Sequence, residues 1–194
     1  MRIILASRSP RRRELLLQMG IGPFDILVPD TPEVAPPGLS PAELVICLSV
    51  EKAKAAAELA EPGALLIASD TMVELDGKLL GKPRDEAEAF SMLRRLAGRV
   101  HTVYTGLALY RDGLLRTACE HTDVRFRTLT DGEIRAYIAT GEPMDKAGAY
   151  GIQGRGSVLV EAIYGDFFTV MGLPVCRLGQ MLPEFGVYPL SEPT

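Results

Sequence analysis

The chain of 194 residues carries a formal net charge of −4 and has a pI near 5.3, with 47% hydrophobic and 24% charged residues. This length and hydrophobic content suffice for one packed domain, or for one domain with two lobes. The acidic balance argues against a general nucleic-acid or membrane binder, and no apolar run reaches the length of a membrane span.

The N-terminal segment predicts a binding site for an anion. Residues 3–6 form an apolar run that is typical of a buried strand, and Ser9 suits the N-cap of a helix that follows. Arginines at positions 11–13 occupy the first turn of that helix, where unpaired N–H groups and the helix dipole disfavour cations. We expect a phosphate to compensate, with Arg12 pointing inward and Arg13 outward. A solvated surface cluster is the alternative.

Capping and turn signals divide the rest of the chain into helices and strands. The predicted helices begin at an N-cap residue or a proline, namely Ser40, Asp85, Thr130 and Pro174. The predicted strands are apolar or alternating runs at residues 64–68, 73–75, 79–80, 100–110, 114–126 and 158–163. Two Asp-Gly turns predict hairpins, whereas other strands are followed by helices. This combination predicts an α/β fold with a mixed sheet.

Asp70 is the candidate catalytic carboxylate. It follows the predicted strand at residues 64–68, which is a common location for catalytic groups in α/β folds. Met72 breaks the Asp-x-Asp pattern of phosphatases that use an aspartate nucleophile, so a general base or a metal ligand is the better interpretation. An ordinary aspartate that caps a turn is the alternative.

Two loops carry further candidate contacts. The Gly81-Lys82-Pro83 segment resembles a P-loop only superficially, and Lys82 either reaches a phosphate or lies on the surface. The segment DKAGAYGIQG at residues 145–154 has closely spaced glycines that would let the backbone approach a ligand. Lys146, Tyr150 and Gln153 would supply charge, a ring and an amide there. A generic glycine loop is the alternative.

The spacing of the histidines and cysteines predicts neither a zinc site nor a disulfide framework. His101 and His121 share no ligand spacing with each other or with a cysteine, so we expect any metal to be a hard cation such as Mg²⁺ rather than zinc. The three cysteines are scattered and odd in number, which predicts buried thiols in a reducing cytoplasm. The N-terminus enters a strand directly, so no signal peptide is expected.

Taken in order, these segments resemble the Maf family of nucleotide pyrophosphatases. The matching segments cover essentially the whole chain: LASRSPRRRELL at 5–16, Glu33, Lys52, SDT at 69–71, LGKP at 80–83, HTVYTG at 101–106, DKAGAYGIQG at 145–154 and GLP at 172–174. The resemblance implies one Maf-like domain over residues 1–194. Its two α/β lobes would enclose a deep cleft on an elongated mixed sheet with flanking helices, as in inosine-triphosphate pyrophosphatases.

The resemblance also implies an activity and its cofactor. A nucleoside triphosphate would be hydrolysed to the monophosphate and pyrophosphate with a divalent cation, Mg²⁺ or Mn²⁺, often in a homodimer. The acidic chain and the lack of an apolar span leave no nucleic-acid or membrane partner. Two alternatives stay open, a nucleotide-binding regulatory protein linked to septum formation and a phosphatase that releases single phosphates.

Carried over by position, the resemblance implies a role for each candidate residue. Asp70 would accept the proton of the attacking water and, with Glu33, bind the metal. The implied triphosphate contacts are Ser7 or Ser9, Arg11, Arg12, Lys52 and Lys82. Arg12, Thr71 and Gln153 match the branch that acts on dTTP and UTP, whereas the branch that acts on 7-methyl-GTP has Glu in place of Gln153. Since a neutral amide suits the imide edge of thymine or uracil, we expect a dTTP/UTP pyrophosphatase for nucleotide-pool sanitation.

Overall fold

The computed structural model describes residues 1–30 and 36–190. The strands are β1 (Ile3–Leu5), β2 (Asp25–Ile26), β3 (Leu65–Leu75), β4 (Lys78–Leu80), β5 (Val100–Arg111), β6 (Leu114–Phe126) and β7 (Val160–Tyr164). The α-helices are α1 (Pro10–Gln18), α2 (Pro41–Leu59), α3 (Glu86–Leu96), α4 (Asp131–Ile138), α5 (Phe167–Met171) and α6 (Val175–Met181). Short 3₁₀ helices cover Glu142–Asp145, Ala147–Ala149, Gly154–Leu159 and Leu182–Phe185.

The strands form one mixed sheet in the order β2-β1-β3-β5-β6-β7, with β4 paired to β3. Strand β1 runs parallel to both neighbours, with Ile4 opposite Asp25 on one side and Leu66 on the other. Strand β4 is antiparallel to β3, and β7 is antiparallel to β6 with a register shift between Arg125 and Phe126. The predicted α/β class with a mixed sheet and flanking helices is therefore confirmed.

Both predicted hairpin turns are present. Asp76 and Gly77 join β3 to β4, and Asp112 and Gly113 join β5 to β6. All four residues have positive φ values between 47° and 87°, as two-residue turns between antiparallel strands require. The helix signals also hold for α2 and α4, whose capping boxes make both reciprocal hydrogen bonds at Ser40 and Thr130.

Two predicted elements differ from the structure. Residues 64–68 and 73–75 belong to the single strand β3, which runs from Leu65 to Leu75 without a break. The polar residues in its centre were interpreted as a strand end because they interrupt the apolar run, yet they are accommodated inside the strand. The strand predicted at residues 158–163 begins only at Val160, because residues 154–159 are wound into a 3₁₀ helix.

The chain forms two compact units. The first comprises Met1–Asp70, Thr105–Glu120 and Gly172–Thr194, and the second comprises Thr71–Tyr104 and His121–Met171. The first unit contains an alanine-rich apolar cluster, including Ile4, Ala6, Ala53, Ala56, Leu66 and Ala108. The second contains a larger cluster that includes Val73, Leu93, Phe126, Ile134 and Tyr150. Each unit thus has its own buried core, while the predicted deep cleft stays a prediction.

Helix α2 lies unusually close to strand β5 inside the first unit. A Cβ atom built on Gly106 would lie 2.3 Å from the carbonyl oxygen of Val45, so the helix backbone occupies the space of the missing side chain. Ala53 and Ala56 are fully buried on α2 and belong to the same apolar cluster as Ala108 of β5. This packing fixes the position of Lys52, which is carried by α2.

Two remaining predictions concern the surface. Among the described residues, none of the helices combines the length and the apolar character needed to cross a bilayer. The prediction of buried thiols is wrong for Cys176, which is exposed on α6, whereas Cys47 and Cys119 are half-buried. The buried face of α6 is formed by Leu178 and Met181, which leaves Cys176 on the other side.

Candidate active site

The centre of β3 carries the candidate catalytic carboxylate. Asp70 lies within the strand rather than after it, and only 6% of its surface is exposed. Its Oδ1 accepts a hydrogen bond from Nζ of Lys52 on α2, and the two side chains form an ion pair. Its Oδ2 is buried and has no hydrogen-bond partner among the described residues. Because an unsatisfied buried carboxylate oxygen is costly, this atom is suited to receive a proton or a cation.

The guanidinium of Arg12 joins three segments of the first unit. Its Nη1 donates to the Ser7 hydroxyl at 3.1 Å and to the carbonyl of Ser69 at 2.8 Å, and its Nε donates to the carbonyl of Gly172 at 2.7 Å. The Ser69 hydroxyl donates to the same Gly172 carbonyl at 2.8 Å. Arg12 therefore points inward, as predicted, and fixes the backbone directly before Asp70.

The N-terminus of α1 differs from the prediction in one respect. Ser9 occupies the N-cap position with extended backbone angles, but its side chain makes no capping hydrogen bond within the described part of the chain. Its backbone N–H instead donates to the Ser7 hydroxyl at 3.2 Å. Arg11 is half-buried and Arg13 is exposed, as expected for the outward residue. A helix start that lacks both a side-chain cap and an acidic residue suits an external anion.

The other candidate substrate contacts belong to the second unit. Thr71 is half-buried in β3, directly after Asp70. Lys82 is exposed on the loop between β4 and α3, and Gln153 is exposed before the 3₁₀ helix Gly154–Leu159. The structure therefore brings Ser7 into contact with Arg12, and Lys52 into contact with Asp70. Thr71, Lys82 and Gln153 belong to the second unit.

Tyr150 is not available to a ligand as its sequence position suggested. Only 5% of its surface is exposed, and its hydroxyl bonds to Nε2 of His101 at 2.8 Å. Both rings pack edge to face against each other and against Phe126. Burial lowers the pKa of His101 to about 4, although the charge of Asp123 acts in the opposite direction. Burial also raises the pKa of Tyr150.

Sequence reasoning missed Glu142, which lies just before the glycine-rich segment. Its Oε1 accepts hydrogen bonds from the Tyr137 hydroxyl at 2.9 Å and from the Gly156 N–H at 3.0 Å, and its Oε2 accepts from the Arg155 N–H at 3.0 Å. Burial raises the pKa of this carboxyl, but the hydrogen bonds from Arg155, Gly156 and Tyr137 outweigh burial and lower it. The only sequence signal was its position ahead of several glycines.

One of the two expected metal ligands, Asp70, lies within the described residues. Glu33, the second expected ligand, lies outside the described residues. Over residues 1–30 and 36–190, no three His, Cys, Asp or Glu side chains are grouped as a metal site. Asp70 is therefore the one predicted ligand whose surroundings are known, and its unpartnered Oδ2 fits a cation as well as it fits water.

Comparisons with known proteins identify the family. The family model described as "Maf-like protein" matches residues 2–185. A protein of Symbiobacterium thermophilum called dTTP/UTP pyrophosphatase is 53% identical over 97% of this chain and 95% of its own length. One of the same name from Bacillus velezensis is 50% identical over 96% and 97%.

The fold has relatives among solved structures. A HAM1 protein from Coxiella burnetii has a TM-score of 0.56 with 14% sequence identity, and the match covers 95% of this chain and 99% of that one. At this identity the likeness concerns the fold alone. The family match over nearly the whole chain and the relatives at about half identity agree with the sequence motifs, and the chain belongs to the Maf family.

Proposed function

We propose that this protein hydrolyses dTTP and UTP to the nucleoside monophosphate and pyrophosphate, and thereby removes unwanted nucleotides from the pool. The names of its relatives support this substrate class. The single observation that carries the proposal is the buried carboxylate of Asp70, which has Lys52 on one oxygen and no partner for the other among the described residues.

Asp70 is the general base of the proposed reaction. Its Oδ2 takes a proton from a water molecule while the water oxygen attacks the α-phosphorus. The bond between the α-phosphorus and the bridging oxygen breaks, and its electron pair leaves with pyrophosphate. Lys52 holds Oδ1 and thereby orients the carboxylate toward the water. As the triphosphate arrives, the ammonium group of Lys52 also offsets its negative charge.

The start of α1 is the proposed binding site for the phosphates. The first-turn N–H groups, Arg11 and the Ser9 hydroxyl would face the anion, and Lys82 would add a further cation. Arg12 would act in two ways, because its guanidinium already holds the Ser69 and Gly172 carbonyls. A charge that is anchored in this way needs little reorganisation when substrate binds.

We also propose that the reaction uses Mg²⁺ or Mn²⁺. Asp70 and Glu33 would hold the cation, since carboxylate oxygens are the ligands that such hard cations prefer. When bound, the cation would neutralise charge on the phosphates. Chelation with EDTA should abolish turnover, and addition of Mg²⁺ or Mn²⁺ should restore it, whereas full activity in EDTA would refute this part of the proposal.

Gln153 is the residue that we propose recognises the base. Its exposed amide offers both a donor and an acceptor, which suits the imide edge of thymine and uracil. Arg12 and Thr71 would complete the selection. The Gln153→Glu variant should lose preference for dTTP and UTP, because a carboxylate has no donor for the carbonyl groups of these bases. An unchanged preference would remove this assignment.

Product analysis tests the proposed activity. A panel of nucleoside triphosphates with Mg²⁺ or Mn²⁺ is incubated with the protein, with and without inorganic pyrophosphatase. Monophosphate and pyrophosphate from dTTP and UTP, with little from purine nucleotides, is the expected result. Release of single phosphates would identify a phosphatase, and tight binding without turnover would identify a nucleotide-binding regulatory protein.

The proposal also includes an oligomeric state and a cellular location. We propose a homodimer, to be tested by light scattering coupled to size-exclusion chromatography. We also propose a cytoplasmic location, where the nucleotide pool is found, to be tested by fractionation of cells that contain the tagged protein. A monomer, or a protein recovered outside the cytoplasm, would contradict the respective statement.

A further inference from the structure

Both carboxylate oxygens of Glu142 accept hydrogen bonds from backbone N–H groups. Two of its three donors are the consecutive N–H groups of Arg155 and Gly156, both at 3.0 Å, and the third is the Tyr137 hydroxyl at 2.9 Å. Hydrogen bonds to an ionised group are about twice as strong as those between neutral groups. The carboxylate therefore fixes the path of the chain at residues 155 and 156.

The glycines of this segment fit around the carboxylate. A Cβ atom on Gly154 would lie 2.8 Å from Oε2 of Glu142, and one on Gly156 would lie 3.2 Å from Oε1 and 2.1 Å from the Gly151 carbonyl. Gly154 also has a φ of +66°, which disfavours any side chain. The close approach that these glycines permit is therefore to the protein's own Glu142.

The same group also holds the chain on the other side of Gln153. The Gly151 N–H donates to the Tyr137 hydroxyl at 3.1 Å, and that hydroxyl donates to Glu142. Lys146 adds a hydrogen bond from its Nζ to the Glu142 carbonyl at 2.6 Å. Residues 151 and 155 are thus both tied to the Tyr137–Glu142 pair, and Gln153 lies midway between them.

Gln153 itself contributes little to its own placement. It is exposed, has an extended backbone, and makes no side-chain capping bond to the helix that follows, within the part of the chain described. The direction of its amide therefore depends on the backbone at residues 151–156. That backbone in turn depends on the carboxylate of Glu142.

We propose that Glu142 is a positioning residue for substrate selection, which sets the preference for the pyrimidine base by fixing the backbone that carries Gln153. This inference rests on the proposed function, because it takes Gln153 as the residue that recognises the base. Glu142 touches neither the substrate nor the reacting atoms. It acts through the geometry of residues 151–156.

The Glu142→Gln variant is the main test. The amide that replaces the carboxylate keeps one acceptor oxygen and presents an NH₂ group to a backbone donor, so one of the two backbone hydrogen bonds is lost. The ratio of kcat/KM for dTTP to kcat/KM for dGTP should fall by roughly tenfold, mainly through a higher KM for dTTP. Should this variant not fold, Tyr137→Phe removes the hydroxyl that bridges Gly151 and Glu142 and should lower the same ratio.

Glu133→Gln is the matched control. Glu133 also accepts from a backbone N–H and a hydroxyl, both of Thr130, but it does so in the capping box of α4. The Glu133→Gln variant should keep the wild-type nucleotide preference. A drop as large as that of Glu142→Gln would show that general loss of stability changes the ratio, and would overturn the proposal.

A double-mutant cycle tests the route through Gln153. If Glu142 acts by placing this side chain, then Glu142→Gln should not change the dTTP to dGTP ratio further in a Gln153→Ala background. Additive effects of the two substitutions would mean that Glu142 acts on selection by another route, which contradicts the proposal.

Hydrogen exchange separates this inference from the proposed function. In Glu142→Gln the amides of residues 155 and 156 should exchange faster, whatever the substrate is. Unchanged exchange, or faster exchange with an unchanged preference, would overturn the positioning role. If the wild-type protein prefers a nucleotide other than dTTP or UTP, the proposed substrate is wrong, and the ratio for the preferred nucleotide then decides the role of Glu142 in the same way.

Discussion

Asp70 is buried and Glu142 is half-buried, and the hydrogen bonds of the two carboxylates suit them to different proposed roles. Asp70, in the first unit, has Lys52 on one oxygen and no partner for the other among the described residues. Glu142, in the second unit, accepts three hydrogen bonds that use both of its oxygens. A carboxylate with an unused oxygen can receive a proton or a cation, whereas one whose two oxygens both accept hydrogen bonds is suited to hold structure. The difference supports the proposal that the chemistry takes place at Asp70.

Replacing Asp70 with Asn should produce the largest effect. The amide keeps the shape but has no basic oxygen that could accept a proton from water, so kcat should fall by roughly 10²–10⁴-fold. Pyrophosphate release from dTTP measures the change. Asp85→Asn is the matched control, because Asn caps a helix about as well as Asp does, and it should retain the wild-type rate. An Asp70→Asn protein with a near-normal rate would refute the assignment of the base.

Asp70 was easier to identify from the sequence than Glu142 was. Asp70 stood out because polar residues interrupted an apolar run, but its place inside β3 depends on pairing with distant strands. Two partners of Arg12, Ser69 and Gly172, are 57 and 160 residues away, and only the fold brings them to Arg12. The hairpin turns and capping boxes are local and were predicted correctly.

The role of Glu142 escaped the sequence for a different reason. Its donors are at most 14 residues away, so distance along the chain was not the obstacle. Two of them are backbone N–H groups, which have no signature in the amino-acid sequence. The glycines at 151, 154 and 156 were visible, but nothing in the sequence says which group they approach.

The folded protein should lose stability in acid because of the buried His101 in the second unit. Above pH 6.5 this histidine is neutral in both the folded and the unfolded chain. As the pH falls from 6.5 toward 4, the unfolded chain takes up a proton that burial keeps from the folded chain, and the free energy of unfolding decreases. The loss reaches about 3 kcal/mol once the pH is below the folded pKa of about 4.

Urea unfolding at a series of pH values measures this effect. The His101→Gln variant should show a smaller decrease between pH 6.5 and 4 than the wild type does. His121→Gln is the control, since His121 is exposed, and it should leave the slope unchanged. Equal slopes for His101→Gln and wild type would contradict the account of the buried histidine.

Removing the charge of Lys52 tests how much this cation contributes to the proposed activity of Asp70. The Lys52→Met variant keeps most of the apolar stem but loses the charge that pairs with Asp70. Because charge-assisted hydrogen bonds contribute about 1.5–3 kcal/mol, kcat/KM for dTTP should fall by roughly 10- to 100-fold. Lys54→Met, on the same helix, should change kcat/KM little. Similar values for the two variants would exclude a specific role of Lys52.

Gly106 tests whether the packing of α2 positions Lys52. In Gly106→Ala the new methyl group would lie 2.3 Å from the Val45 carbonyl, so the helix must shift and the free energy of unfolding should fall by about 1–3 kcal/mol. Thermal unfolding measures this loss. Gly179→Ala is the matched control, because Gly179 lies in α6, where a Cβ atom would lie 3.9 Å from the side chain of Met19, and Ala should stabilise the helix slightly. Equal stability of wild type and Gly106→Ala would contradict the close packing.

In the proposed reaction, water activated by Asp70 attacks the α-phosphorus of the nucleotide. Hydrolysis of dTTP by the wild-type protein in ¹⁸O-labelled water, followed by mass spectrometry of the products, tests it most directly. The account predicts one labelled oxygen in thymidine monophosphate and none in pyrophosphate. Label in pyrophosphate or in inorganic phosphate would place the attack at another phosphorus and contradict the account.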